Sequence, residues 1–126
     1  MRYFVRAILK KDKQHQLKKA IDEGTLGRGS IAGGEYIRDM KHARLLDDGC
    51  AEWIEVCFCD TPLDEEKPYW EEYFELSEIT DATDRKICKH ETGELPWSCV
   101  SCNCTKKQEK ELIKIGKSFY DSLPTL

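Results

Sequence analysis

No stretch of this chain approaches the ~20 consecutive apolar residues that a membrane helix needs, so no helical span is expected. The opening Met-Arg-Tyr-Phe-Val-Arg-Ala-Ile-Leu-Lys has its apolar run broken at Arg6 and lacks the core of a secretory signal. The expected compartment is the cytoplasm. Internal repeats, low-complexity tracts and linkers are also missing. The 126 residues therefore read as one domain, an α+β core over 1–84 followed by a metal-binding segment and terminal helix over 85–126. The glycine-rich stretch Gly24 to Gly34 lacks Gly-x-x-x-x-Gly-Lys-[Ser/Thr], so it reads as a connector rather than a phosphate loop. No catalytic constellation is present, and a binding role is expected ahead of an enzymatic one.

What the chain does have is cysteine, seven in all, of which Cys88, Cys99, Cys102 and Cys104 crowd into one segment. An odd number cannot pair completely within the chain. In a reducing compartment, clustered thiols act as ligands or redox groups before they form disulfides. Cys99-x-x-Cys102 has the gap that lets two thiolates grip one tetrahedral ion from a tight turn. Cys88 arrives from the end of a strand, and Gly93 and Pro96 help the chain fold back. Cys104 is the expected fourth ligand because it lies at a helix start, whose positive dipole end stabilises a thiolate. His90 is the alternative fourth ligand. The four side chains predict a structural zinc ion. An iron–sulfur cluster is the alternative cofactor, but the spacing matches neither of the ferredoxin runs such clusters use. A zinc deaminase does not fit: His90 and Glu91 are adjacent, and Pro96 stands three residues before Cys99 instead of next to it.

Hydrophobic periodicity predicts a small sheet of about three strands. Residues 2–10 carry apolar groups on both faces, as a central strand does. Ala51 to Cys59 alternates, with Ile54, Val56 and Phe58 on one side and Trp53, Glu55, Cys57 and Cys59 on the other. Glu72 to Thr80 reads as the third strand. Two helices are inserted after the first strand, one capped by Asp12 and stopped at Gly24, the other running from about Glu35 to Leu46. Thr105-Lys-Lys-Gln108 fits a capping box. It would start a helix with Leu112, Ile115, Phe119 and Leu123 on one side and Lys106, Lys110, Lys114 and Lys117 on the other. A split β-α-β or ferredoxin-like arrangement suits this succession, although periodicity does not reveal strand order. His15 and His42 read as surface side chains.

Charge is unevenly distributed within a net of −4. Residues 1–46 hold 11 basic and 5 acidic side chains, residues 47–84 hold 1 and 14, and residues 85–126 hold 8 and 5. Basic ends and an acidic middle can attract one another across the fold or offer a two-signed surface to partners.

The runs Met-Arg-Tyr-Phe-Val-Arg-Ala-Ile-Leu, Gly-Thr-Leu-Gly-Arg-Gly-Ser-Ile-Ala-Gly, Glu-Val-Cys-Phe-Cys, Pro-Tyr-Trp-Glu-Glu-Tyr-Phe and Pro-Trp-x-Cys-x-x-Cys-x-Cys resemble a small family of soluble proteins of photosynthetic bacteria. The likeness spans most of the chain. It implies a soluble cytoplasmic protein and brings no activity to any residue. The expected function is a zinc-stabilised binding or adaptor protein, with a protein partner or a weak homodimer. Two alternatives accompany it: nucleic-acid binding through the basic terminal helix and metal segment, and thiol redox chemistry at Cys57 and Cys59.

Overall fold

The computed structural model describes residues 2–30, 33–57, 60–81 and 104–124. Five strands, β1 (Arg2–Leu9), β2 (Arg44–Leu45), β3 (Ala51–Val56), β4 (Phe74–Asp81) and β5 (Lys117–Ser118), form one antiparallel sheet in the order β4-β1-β3-β2-β5. Helices α1 (Gln14–Glu23) and α2 (Gly33–His42) follow β1, and α3 (Lys67–Glu71) follows β3. Helix α4 (Cys104–Leu112) precedes β5, and the short α5 (Phe119–Ser122) follows it. Through β4 this is the succession of the split β-α-β motif.

The α+β class and the central place of the first strand match the sequence reading, because β1 is bordered by β3 and β4. Among the described residues the count of about three strands is corrected to five. Both extra strands, β2 and β5, are two residues long, too short for a period-2 signal, and are held by backbone pairing. Arg44 and Leu45 were expected to be helical. Instead α2 stops at His42, and the chain turns through Leu46–Cys50 into β3, with Gly49 at φ 88°. Asp12 lies in a 3₁₀ turn (Lys11–Lys13) and does not cap α1, whereas Gly24 stops that helix as expected in the left-handed conformation. Helix α4 opens at Cys104, so Thr105 falls within its first turn and not at the cap. The expected continuous terminal helix ends at Leu112. Gly116, at φ 57°, breaks it, and the lysine series is not one helical face: Lys106 and Lys110 lie on α4, Lys114 in the following turn and Lys117 in β5.

Register explains the core. Tyr3, Val5 and Ala7 stand opposite Glu55, Trp53 and Ala51, so these six share one sheet face. That face is covered by Leu17, Ala20 and Ile21 of α1, Tyr36 and Met40 of α2, Trp70 of α3 and Phe119 of α5, all buried. Aromatic rings dominate the centre. Trp53 and Trp70 lie 4.7 Å apart, Trp70 and Tyr36 4.9 Å, Trp53 and Phe74 5.2 Å, and Phe74 and Phe119 5.8 Å. Such tilted contacts add to burial, which alone contributes roughly 2 kcal/mol or more for each large side chain.

Candidate functional site

Cys88, His90, Cys99 and Cys102 lie outside the described residues, as does Cys59. Cys104 is the first residue of α4. That helix is fastened to the rest of the fold. Arg38 of α2 donates to Glu109 at 2.6 Å, and His42 Nδ1 lies 3.5 Å from the same carboxylate. Just beyond the helix, the Arg44 guanidinium donates to the carbonyls of Ile115 at 2.9 Å and Gly116 at 3.0 Å. Cys57 is buried, and its thiol donates to Glu66 Oε2 at 3.4 Å. Cys50 is also buried, and its thiol pKa is raised by burial and then by Asp48. Among the described residues no three or more His, Cys, Asp or Glu side chains converge as metal ligands would.

The structure also places three carboxyl groups in the interior. Glu55 is 2% exposed, Asp39 3% and Glu66 4%. Alternation along β3 puts Glu55 on the core face beside Trp53, two residues earlier. Trp53 Nε1 donates to Glu55 Oε1 at 2.8 Å, and Trp70 Nε1 donates to the same oxygen at 2.8 Å and to Oε2 at 3.1 Å. An indole N–H can only donate, so both carboxyl oxygens act as acceptors, Oε1 from two indoles and Oε2 from one. Asp39 sits on the buried side of α2, and its Oδ2 has no hydrogen-bond partner among the described residues.

Leaving water disfavours the charged form of each acid. Burial, with Glu66 and Glu35 adding repulsion, pushes the Glu55 carboxyl from 4.5 up to about 7, although the two indole bonds favour its anion. Burial also drives Asp39 well above the usual carboxylate range, reinforced by the charges of Glu55, Glu35 and Glu109 and opposed by Arg38. The Tyr36 phenol, which donates to Ser30 Oγ at 3.1 Å, is raised by burial as well. Of these groups, Glu55 can hold and release a proton near neutrality. The open depression lined by Leu45, Leu46, Asp47, Gly49, Gly116 and Lys117 does not include them.

Sequence reasoning put Glu55 on the same strand face as Trp53 but did not recognise that face as the core. The signal was available: Tyr3, Val5 and Ala7 require an apolar partner face, and Trp53 is the largest side chain β3 offers. Asp39 gave a weaker signal, one acid on the apolar side of a helix between Tyr36 and Met40. His15 and His42 are exposed, as expected. Comparison with family models, curated proteins and solved structures finds no match to this chain.

Proposed function

We propose that the chain is a small protein-binding module whose C-terminal part is organised by a structural zinc ion on Cys88, Cys99, Cys102 and Cys104. His90 is the alternative fourth ligand. The observation that carries the reading is the position of Cys104 at the amino end of α4, on a helix tied to the core by Arg38 and Glu109. A ligand there has a fixed backbone and lies where unpaired helix N–H groups favour a thiolate. Zinc would then fasten the cysteine segment, which is poor in apolar side chains, to a domain that already has its own core.

A structural zinc adds its binding energy to folding. Elemental analysis of protein purified without added metal should find about one zinc per chain. Cys104→Ser should loosen the metal, and His90→Ala should leave it bound. Absence of metal, or iron with acid-labile sulfide, overturns the zinc assignment; the reverse pattern in the two variants moves the fourth ligand to His90. The alternative of nucleic-acid binding would draw on lysines carried in succession by α4, a turn and β5 instead of by one helix.

A further inference from the structure

The large apolar side chains exposed among the described residues are Ile8 at 47%, Ile113 at 63% and Ile115 at 41%. They occupy two patches of opposite surroundings. Ile113 and Ile115 flank Lys114 in the turn after α4, with Lys110 and Lys117 on either side, all three lysines exposed. The acidic neighbours of this patch are Glu111, which pairs with Lys114 at 3.1 Å, and the exposed Asp47, which shares a depression with Gly116 and Lys117. Ile8 stands opposite the exposed Glu75 of β4, on the sheet face that also carries Glu52 and Glu78. Two basic groups near Ile8 are engaged: Arg6 pairs with Glu52 at 3.4 Å, and the Lys10 amine donates to the Glu71 carbonyl at 2.6 Å, whereas Lys11 is exposed.

Both patches lie at the same end of the sheet. Ala7, Ala51, Leu45 and Lys117 form one row across β1, β3, β2 and β5. Because every pair is antiparallel, Ile8, Cys50, Leu46 and Gly116 form the next row toward that end. Three strand spacings, about 14 Å, separate β1 from β5 along it. The basic patch is held rigidly. Ile113, Lys114 and Ile115 donate backbone N–H groups to the carbonyls of Glu109, Glu111 and Leu112, and Arg44 braces the carbonyls of Ile115 and Gly116. The two isoleucines are therefore presented to solvent at little ordering cost on association.

We propose that the basic Ile113/Ile115 patch docks on the acidic Ile8/Glu75 patch of a second copy of this chain, closing a two-fold dimer in which the contact occurs twice. Two complementary patches at one sheet end, with a symmetry axis between them, can be satisfied together. A self-complementary pair of this kind closes instead of polymerising. The occupant is a second copy because each patch finds on the same molecule a counterpart of opposite charge and like apolar character. Three isoleucines per copy make a small interface, below the ~1,200 Å² at which stable complexes begin. The association is accordingly weak and salt-sensitive, since its ion pairs are solvent-exposed. This contact rests on the protein-binding part of the proposed function and is independent of zinc.

Sedimentation of the full chain across its concentration range, with zinc content measured on the same samples, tests this. The parent should pass from monomer to dimer, and Ile113→Glu should weaken the association about 10- to 100-fold. The deciding experiment uses two exposed charge reversals, Lys114→Glu and Glu75→Lys. Each alone should weaken self-association, because both contacts then oppose like charges. An equimolar mixture should recover dimer, because the mixed species pairs each reversed charge with its complement. A parent that stays monomeric up to about millimolar concentration, or a mixture that associates no better than its components, overturns the dimer. A zinc-loaded chain that fails these tests leaves the metal assignment standing, whereas a zinc-free chain that passes them removes only that assignment.

Discussion

Replacing Glu55 with Gln should change the sign of its stability effect between acidic and mildly alkaline solution. In the folded chain the Glu55 carboxyl is raised from 4.5 to about 7. The folded state therefore binds more protons than the unfolded state in that interval, and stability falls as pH rises through it. The contribution is fully present below about 4.5, the unfolded value, and is lost as pH climbs through about 7. Each pH unit of that gap is worth about 1.4 kcal/mol, so the loss from Glu55 alone between pH 5 and pH 8 is about 2.5 kcal/mol. A Gln carbonyl can accept both indole N–H groups at the position of Oε1. Its amide nitrogen, however, would replace Oε2, which lies 3.1 Å from Trp70 Nε1, and set donor against donor at a cost of about 1 kcal/mol.

The parent should thus be the more stable protein below pH 4.5 by about 1 kcal/mol, the two should be nearly equal at pH 5, and the Gln variant should be the more stable at pH 8 by about 2 kcal/mol. Urea unfolding followed by tryptophan fluorescence reads this directly, because Trp53 and Trp70 both donate to Glu55. Using the difference between the two proteins cancels the opposing rise of thiolate–zinc affinity with pH. A difference that is constant from pH 5 to pH 8, or a variant still weaker than the parent at pH 8, refutes the reasoning.

Gly27→Ala should destabilise the fold by about 3 kcal/mol in the same unfolding assay, since φ is 72° and the added Cβ would stand 2.3 Å from the Tyr36 ring. Arg38→Ala should cost global stability at most about 1 kcal/mol, the Arg38–Glu109 pair being partly exposed, while raising amide hydrogen exchange in α4 well above that in β1.

Strands β1, β3 and β4 were legible because each is long enough to alternate, and α1 because Gly24 ends it. The sequence was misleading where tertiary contacts overrode a local pattern. Leu112, Ile115, Phe119 and Leu123 keep helical spacing, but Gly116 sits so close to Leu45 that a Cβ would be 2.2 Å from that carbonyl. The chain is drawn there into a strand pairing with β2 instead of continuing α4. Arg44 and Leu45 likewise continue a helical pattern but pair with β3. Two-residue strands leave no periodic trace, so the outer half of the sheet could be read only from the fold. The cysteine spacing is fully legible as chemistry, yet among those four residues only Cys104 falls within the described part, as the start of α4.

The acidic middle of the chain shows why a charge count is a poor map of a surface. Its 14 carboxyls against one basic side chain make it the strongly negative part of the sequence. In the fold, Glu55 and Glu66 are inside, Glu52 pairs with Arg6, and Asp48 accepts from the Cys50 N–H at 3.0 Å. A partly protonated Glu55 near neutrality removes further charge from the formal sum. What remains exposed near the sheet end includes Glu75 and Glu78, beside Ile8, and Asp47 and Asp48 in the turn between β2 and β3. The same holds for the basic tail, where Arg38 and Arg44 of the preceding segment serve α4 and its following turn, and Lys110, Lys114 and Lys117 surround the two exposed isoleucines. Folding therefore turns a broad charge asymmetry into two small patches, each joining charge to exposed apolar surface. That pairing of charge with isoleucine is what gives a weak ionic attraction enough buried area to become a defined contact.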